Sequence, residues 1–452
     1  MMPAADASVV PPRGPLTSLK QRAAHLLRGR RGDTVWALFD SGTGLLASVF
    51  SFLLLGRNLG AAGYGAFIGL YALIGPFLAL SQAGIFLAAM EHVAREGEDP
   101  REVARSFVSM TAVSTLFWVP ALAAVSLRSI EGLPPYAAIL MILTEFCLNG
   151  IFATSQAMVQ VVTGFPAASR LRMSGALSKI GLLTVLAAGG SLTLTTFAVG
   201  QAATIGAVVV FAAVKVSRLV GAPILPGRIG RRHVRSALLY GLGISASMAQ
   251  TDGDKFVLNA AHHQGDAGRY GAAYRVMQVA LLPASALSSA MHLSFLDGTA
   301  SANAQLRRAI RLALITLAYA IPAVVGLVLA APFVPRILTK DFEETAFILQ
   351  LLSPVVILRA VQVYPMNGLM GLGRNGLRTT ILGANALLSL ILYAALIPKY
   401  SWHGALAATL VSEVSLCASA WIALFLYERS TRPTKTAVQA NASYRETPDV
   451  GR

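Results

Sequence analysis

The sequence predicts an all-α polytopic membrane protein, with about 12 transmembrane helices in two pseudo-symmetric six-helix lobes. Composition is the first observation behind this prediction. Hydrophobic residues make up 55% of the chain, charged residues make up 13%, and the mean hydropathy is +0.62, which is too apolar for a surface wetted by water. In addition, long apolar runs recur along the chain, and one sequence motif occurs in both halves.

The apolar runs are long enough to cross roughly 30 Å of hydrocarbon at about 1.5 Å per helical residue. We predict six spans in each half of the chain. They cover residues 34–55, 64–90, 107–127, 136–161, 171–188, 194–214, 236–257, 270–295, 312–335, 347–369, 379–397 and 402–427. The first run is longer than the apolar region of a signal peptide and other runs follow it, so we predict no signal peptide.

The same runs divide the chain into lobes at residues 34–214 and 236–427, joined by a basic linker at 215–235. The linker is polar and contains prolines, as linkers often do. Residues 1–33 combine an apolar stripe with basic side chains, which predicts either a helix lying in the membrane interface or a disordered basic tail. Residues 428–452 are polar and aperiodic, which predicts disorder.

A repeated motif relates the two halves. Residues 60–66 read GAAGYGA and residues 265–272 read GDAGRYGA, which aligns Tyr64 with Tyr270. Nearly the same offset aligns other polar residues further along the chain. A doubled chain in a membrane indicates two homologous bundles around a shared central site, which is the usual construction of a secondary transporter.

The charge of the loops predicts the orientation of the chain. Lys and Arg are disfavoured in short translocated loops, and most of them fall on the side that holds both termini and loops 91–106, 215–235 and 296–311, here called the basic face. The opposite face carries only Arg57, Arg128, Arg269, Arg336, Lys340 and Lys399. We therefore predict that both termini are cytoplasmic. This placement also accounts for the net charge of +16, so we predict contact with anionic membrane lipids and no nucleic-acid partner.

The sequence lacks the motifs of common catalytic and cofactor sites. The loops are short, and the chain contains neither GxxxxGK[ST] nor HExxH. The histidines have no metal-ligand spacing, and Cys147 and Cys417 lie within predicted spans without a metal or redox spacing. We predict a transporter rather than an enzyme, with no cofactor and no metal, driven by an ion gradient, the membrane potential or the substrate gradient.

Nine charged side chains lie within the predicted spans, where each costs about 2.5 to 3.5 kcal/mol on insertion scales. The acids are candidates for coupling a proton or a sodium ion, and they are Asp40, Glu145, Asp252, Asp254 and Glu413. The bases are candidates for substrate binding, and they are Lys179, Lys255, Arg275 and Arg359.

Structural roles compete with these functional ones. Arg359 and Glu413 lie at similar predicted depths, so an internal ion pair is the alternative for both. Lys179 has two alternatives, since it can snorkel to the interface or pair with Glu145. Asp40 lies near the basic end of its span, where a coupling carboxylate and a plain interfacial carboxylate fit the sequence equally well.

The densest polar group belongs to spans seven and eight, towards the face opposite to the basic face. It consists of Gln250, Asp252, Asp254, Lys255, Tyr274, Arg275 and Gln278. Its neutral members Gln250, Tyr274 and Gln278 are further candidates for substrate binding. Asp252 and Lys255 can pair on one helix face, which leaves Arg275 to bind an anion or to pair with Asp254. Gly253 weakens the helix by about 1 kcal/mol relative to Ala, and we predict a broken helix end there. The planar fork of Arg suits a phosphate or a diphosphate.

Two runs of sequence resemble a known family. They are LLLGRNLGAAGYGAFIGLYALIGPFLALSQAG at residues 53–84 and DKFVLNAAHHQGDAGRYGAAYRVMQVALLP at residues 254–283. Both are similar to bacterial polysaccharide exporters of the Wzx type, also called oligosaccharide flippases. These belong to the superfamily that also contains the multidrug MATE antiporters and the lipid II flippase. The resemblance covers nearly the whole chain, through its hydropathy and glycine patterns.

The resemblance implies a MATE-like V in the bacterial inner membrane, open alternately to either side. It implies transport of a polyprenyl-diphosphate-linked oligosaccharide from the cytoplasmic to the outer leaflet, for exopolysaccharide, O-antigen or capsule synthesis, with a polymerase and other assembly proteins as partners. The family's cavities are typically cationic, a role that here falls to Lys255, Arg275 and Arg359. With five acids and four bases in the spans, the sign of the cavity is open, and a MATE-type cation-coupled exporter of small molecules or drugs is the alternative.

Overall fold

The computed structural model describes residues 15–221, 223, 225–295 and 301–431. Its α-helices are α1 (Pro15–Leu78), α2 (Gly84–Met90), α3 (Pro100–Ser129), α4 (Pro135–Leu143), α5 (Asn149–Thr163), α6 (Phe165–Ala188), α7 (Leu194–Val220), α8 (Arg231–Ala260), α9 (Gln264–Phe295), α10 (Ala302–Ala330), α11 (Val334–Ile337), α12 (Glu343–Leu352), α13 (Pro354–Gly371) and α14 (Asn375–Thr431). The π-helical segments are Ala79–Ala83, Glu91–Arg95 and Thr144–Leu148, and the 3-10 turns are Ala331–Phe333 and Lys340–Phe342. The described residues contain no strand, and the predicted all-α class is confirmed.

Two of the long helices contain a sharp break. α1 leaves helical geometry at Gly60, with φ 67° and ψ −178°, and α14 does so at Ser401, with φ 49° and ψ −132°. Glycine adopts a positive φ without a Cβ penalty. Ser401 is held at its break by a hydrogen bond from its hydroxyl to the Asp266 carboxylate. Each break falls in a gap between two predicted spans. α14 therefore supplies two of them, whereas α1 supplies the first span and the beginning of the second, which continues to Met90.

The helices lie at the positions of the predicted spans, but some of them are less apolar than a membrane span usually is. By length and composition, seven helices in the described ranges can cross a membrane, or up to eight if Lys340–Leu352 and Pro354–Gly371, bent by 42°, form one span. Two of the seven are the 57-residue segments Phe39–Arg95 and Asn375–Thr431, which contain the breaks. α8 and α9 are not among them, although predicted spans seven and eight lie on these helices. Of the charged residues in these two spans, Asp254 and Lys255 are buried, and Asp252 and Arg275 are partly buried.

The predicted ends of the lobes differ from the helix ends. α1 is continuous from Pro15 to its break, so residues 15–33 extend the first span, and their placement in the membrane interface remains a prediction. Residues 1–14 and 432–452, which belong to the predicted tails, lie outside the described residues. The connection between the halves is shorter than predicted, because α7 continues to Val220 and α8 begins at Arg231.

The two halves of the chain meet where the repeated motif occurs. A Cβ at Gly65 in α1 would overlap the Gln264 carbonyl oxygen, and one at Gly268 in α9 would overlap the Ala61 carbonyl oxygen. Helix backbones approach this closely only where small residues face each other. Nearer the basic face, Gly84 of α2 makes a similar backbone contact with α8. Backbone contacts therefore join the halves at two levels.

We expect Gly65→Ala and Gly268→Ala each to lower the free energy of unfolding by about 1–3 kcal/mol, because the added methyl group forces α1 and α9 apart. Thermal unfolding of the purified protein in detergent measures this effect. Gly265→Ala is the matched control, since no atom lies within 4 Å of a Cβ at that position. Equal melting temperatures for all three variants would contradict the close crossing.

Candidate functional site

A cavity of about 410 Å³ lies between the two halves of the chain. Both arms of α1 line it, together with α6, α8 and α9. Its polar lining residues are Ser48, Ser51, Tyr64, Tyr71, Lys179, Asp252, Lys255, Tyr274, Arg275 and Gln278. Of the predicted substrate-binding residues, Gln250 and Arg359 lie outside this lining, and the other five belong to it. We call this space the central cavity.

The central cavity is cationic. Its lining contains three basic side chains and one carboxylate, that of Asp252. Lys255 Nζ lies 3.0 Å from Asp252 Oδ1 and 3.1 Å from Asp254 Oδ1, so the predicted pair forms and is shared with a second, fully buried acid. Lys179 and Arg275 form no ion pair with a described carboxylate. Of the five acids in the predicted spans, only Asp252 lines the cavity. The negative charge at the cavity surface is therefore smaller than the positive charge of its three bases.

Arg275 lies where the central cavity meets an apolar groove. The groove has a volume of about 450 Å³ and shares Phe52 and Arg275 with the central cavity. Its remaining lining residues are Val49, Leu53, Val276, Val279, Ala280, Leu327, Ala330, Phe333, Val334, Ile337 and Leu338. Arg275 Nη1 donates to Gln278 Oε1 at 3.3 Å, and the guanidinium also interacts with the Tyr64 hydroxyl. Neutral groups thus hold this cation, and its charge stays available.

Arg359 lies behind the cavity wall in an ion pair with Glu413. Its Nε and Nη2 atoms donate to Glu413 Oε1 at 2.8 and 2.6 Å, and Gln362 donates to Glu413 Oε2 at 3.0 Å. The Tyr274 ring separates this pair from the cavity, since Lys255 Nζ lies 3.7 Å and Arg359 Cζ lies 5.1 Å from the ring centroid. Arg359 and Glu413 therefore form the internal ion pair that the sequence offered as the alternative to substrate binding.

The predicted break at Gly253 is wrong. α8 is continuous from Arg231 to Ala260. Gly253 instead faces α14, where a Cβ would lie 3.3 Å from Leu390 Cδ2 and 3.6 Å from Tyr393 Cδ2. Close packing between helices, rather than an unwound backbone, therefore accounts for this glycine. The Tyr393 hydroxyl also donates to the carbonyl oxygen of Gln250 at 2.9 Å, which places Gln250 against α14.

Glu145 is the centre of a hydrogen-bond network in the first half. Its Oε1 atom accepts from the Tyr71 hydroxyl at 2.7 Å and from Gln201 Nε2 at 2.8 Å, and its Oε2 atom accepts from Asn149 Nδ2 at 2.8 Å. It lies in the π-helical segment Thr144–Leu148, and such segments occur frequently at functional sites. Tyr71 and Gln201 were missed from the sequence, although each is a polar residue within an apolar run.

Lys179 lies between this network and the central cavity. It lines both the central cavity and a smaller one of about 310 Å³ that contains Glu145. Its Nζ atom lies 5.9 Å from the ring centroids of Tyr71 and Phe197, and it forms no ion pair with Glu145. Cation–π attraction of about 0.5–2 kcal/mol per ring therefore holds the ammonium group, in place of the predicted pair.

Asp40 joins α1 to α6. Arg172 Nε lies 2.7 Å from Asp40 Oδ2, and Arg172 Nη1 donates to Gln160 Oε1 at 3.2 Å. Asp40 is therefore already neutralised by a protein cation, which makes it a helix-to-helix contact rather than an isolated interfacial carboxylate. No spacing in the sequence links two residues so far apart, so this pair was not predicted.

The fold is shared with known membrane transporters, although no protein-family model and no curated protein matches the chain. It is similar to the inward-facing conformation of a multidrug resistance MATE family transporter of the MOP superfamily, with a TM-score of 0.68, 14% identity and coverage of 86% of this chain and 96% of that chain. It is also similar to the lipid II flippase MurJ, with a TM-score of 0.64 and 13% identity over 90% of this chain and 89% of that chain. A third similar structure is the MATE multidrug transporter DinF-BH, with a TM-score of 0.61 and 14% identity over 87% of this chain and 94% of that chain. At this identity the likeness shows the fold, and the predicted MATE-like class is confirmed.

We expect Glu413→Gln to destabilise the protein by about 3–5 kcal/mol, because it leaves the Arg359 guanidinium buried without a counter-charge. The double variant Arg359→Met with Glu413→Gln should recover most of this loss, since no unpaired charge remains. Thermal unfolding of the single and double variants in detergent measures the coupling. Additive effects of the two substitutions would show that the pair carries no mutual stabilisation.

Proposed function

We propose that the chain is a flippase that moves a polyprenyl-diphosphate-linked oligosaccharide from the cytoplasmic to the outer leaflet by alternating access. The observation that carries this proposal is the position of Arg275, at the junction of a cationic cavity and an apolar groove. A lipid-linked diphosphate has the matching order of groups: a polar sugar, two phosphates and a long apolar tail. Each part of that molecule has its own environment at this site.

The diphosphate is assigned to Arg275, with Lys179 and Lys255 contributing positive charge. A guanidinium presents parallel donors to phosphate oxygens and remains charged at all accessible pH values. Arg275 and Lys179 form no ion pair with a described carboxylate, so the ligand has no protein anion to displace from them. Lys255 is different, because its Asp252 partner is 37% exposed and can separate when a stronger anion arrives.

The sugar and the tail are assigned to opposite sides of Arg275. Tyrosine, serine and glutamine side chains line the cavity and offer hydrogen bonds to sugar hydroxyls. The groove between α1, α9, α10 and α11 is apolar, and a polyprenyl chain in it stays in a medium like the bilayer interior. The tail therefore need not enter the polar cavity, which removes the largest cost of moving a lipid.

The comparisons support the architecture of this proposal and leave its substrate open. MurJ is described as a lipid II flippase and two other similar structures as multidrug MATE transporters, so one fold serves both kinds of cargo. The positive lining of the central cavity favours an anionic headgroup over an organic cation. The inner-membrane location, the cytoplasmic termini and the polymerase partner belong to the same proposal, and they rest on the loop charges and the family resemblance.

A cation-coupled exporter of the MATE type is the second candidate, and Glu145 is the observation that favours it. Its carboxylate receives three hydrogen bonds from neutral donors and no ion pair, an arrangement in which a bound cation finds a negative charge. Asp254 and Glu413 are less suited, because each is already held by a protein cation. Coupling at Glu145 is also compatible with flippase activity.

We expect Arg275→Ala to reduce surface polysaccharide at least about tenfold, because losing one charge-assisted hydrogen bond costs about 1.5–3 kcal/mol. Arg275→Lys should retain part of the activity, since it keeps the charge and loses the fork. Each variant is expressed in a strain that lacks the native copy, and export is measured together with the amount of protein in the membrane. Arg128→Ala, an exposed residue on the face opposite to the basic face, is the control. Full export by Arg275→Ala would rule out its role.

We expect the purified protein in lipid nanodiscs to bind a polyprenyl diphosphate more tightly than a lipophilic cationic dye, with an affinity that falls as salt is added. Arg275→Ala should weaken diphosphate binding, and Glu145→Gln should not. Fluorescence titration of labelled ligands measures both affinities. Tighter binding of the dye, lost in Glu145→Gln, would instead support the second candidate.

A further inference from the structure

A second group of chemically active side chains lies on the basic face, away from the central cavity. It comprises His92 in the π-helical segment Glu91–Arg95, Glu96 and Glu98 in the loop that follows, and His233 in the first turn of α8. The His92 side chain is 2% exposed, whereas those of Glu96 and Glu98 are 43% and 31% exposed. The group is therefore anchored in the protein and open to solvent on its acidic side.

Ligand atoms of His92, Glu98 and His233 lie close together, and Glu96 adds a contact to His92. His92 Nδ1 lies 2.9 Å from Glu96 Oε2 and 3.1 Å from Glu98 Oε1. His233 Nε2 lies 2.8 Å from Glu98 Oε2. One ligand atom from each of His92, Glu98 and His233 lies within 4.8 Å of the others. A tetrahedral ion with ligands at about 2.0–2.1 Å holds them about 3.3 Å apart, so only a small adjustment admits a metal ion.

Hydrogen bonds between these side chains cannot satisfy all of their polar atoms. His92 Nδ1 carries at most one hydrogen, yet it faces two carboxylates. The other ring nitrogen, Nε2, is buried without a hydrogen-bond partner, so all the polar contacts of this ring are made through Nδ1. If both imidazoles are neutral, the two carboxylates leave a local charge of about −2. A divalent cation neutralises that charge and uses the lone pairs of both rings.

The surroundings of His233 resemble those of a metal-binding histidine. Its Nδ1 atom lies 2.8 Å from Ser106 Oγ, and ligating histidines usually bond a second group through the ring nitrogen that faces away from the metal, which fixes the ring orientation. Glu98 contacts both rings, since one of its carboxylate oxygens lies 3.1 Å from His92 Nδ1 and the other lies 2.8 Å from His233 Nε2.

We propose that His92, Glu98 and His233, with Glu96 as a fourth ligand, form a binding site for a divalent transition-metal ion of the Zn²⁺ type. Two imidazoles and carboxylate oxygens are a ligand set that Zn²⁺ accepts. Three ligands come from the connection between α2 and α3 in the first half of the chain, and one comes from α8 in the second half. A bound ion therefore joins the two halves at the basic face.

The sequence did not reveal this site because His92 and His233 lie far apart along the chain, and neither belongs to a short metal-ligand motif. They meet because α2 packs on the start of α8, where Gly84 admits the α8 backbone. The ring centroids of His92 and His233 are 4.5 Å apart as a result. Metal binding at this site does not depend on the identity of the transported substrate.

The test is titration of the full-length protein, without a polyhistidine tag, with Zn²⁺ in lipid nanodiscs, followed by calorimetry. We expect one ion per chain and a higher melting temperature when it is bound. Co²⁺ serves as a second probe, since its visible absorption reports tetrahedral nitrogen and oxygen ligands. Absence of binding by the native protein would overturn the proposal.

Substitutions separate a metal site from a hydrogen-bond network. His233→Gln and His92→Gln keep a donor towards Glu98 but remove a good metal ligand, so we expect each to fold and to bind Zn²⁺ at least about tenfold more weakly. His262→Gln is the matched control, because His262 also contacts one glutamate, Glu131, at 2.7 Å on the other face. Undiminished Zn²⁺ binding by both His233→Gln and His92→Gln would contradict the proposed ligands.

Discussion

Every charge within the membrane must be neutralised by the protein or used by it, and this constraint organises the interior of the molecule. One cross-helix ion pair in each half neutralises an acid, the partly exposed Asp40 in the first half and the buried Glu413 in the second. Neutral donors surround Glu145. Lys179 and Arg275 are the cavity-lining cations without a described carboxylate partner. Leaving them uncompensated costs several kcal/mol, and it is this cost that the proposed anionic ligand would offset.

α8 is the element that connects the main features of the molecule. Near the basic face it contributes His233 and the close contact with α2. Further along it contributes Asp252 and Lys255 to the cavity wall, with Asp254 buried beside Lys255. Leu238, Leu239 and Leu242, in the first half of α8, are exposed. The charged residues near its other end are covered by α1, α9 and α14. This division explains why α8 is too polar to pass a hydropathy criterion and still lies among membrane-spanning helices.

Local patterns predicted local structure well, because periodic apolar runs and i,i+3 spacings depend on one helix at a time. The spans, the breaks in α1 and α14 and the pair of Asp252 with Lys255 belong to this class. Contacts between distant segments were predicted poorly. The pairing of Asp40 with Arg172 and the meeting of His92 with His233 depend on which helix faces pack together, and one sequence does not specify that.

The sign of the cavity illustrates the same limit and shows what a structure adds. Counting charges within the spans gave a slight excess of acids, yet the lining is cationic because most acids lie behind it. Asp254 is fully buried and Glu413 is 3% exposed, so both act on the cavity only through the cations they hold. Tyr274 contacts both systems, since its ring centroid lies 3.7 Å from Lys255 Nζ and 5.1 Å from Arg359 Cζ. The charge at the cavity surface is thus set by which side chains reach it, and not by the number of charges in the spans.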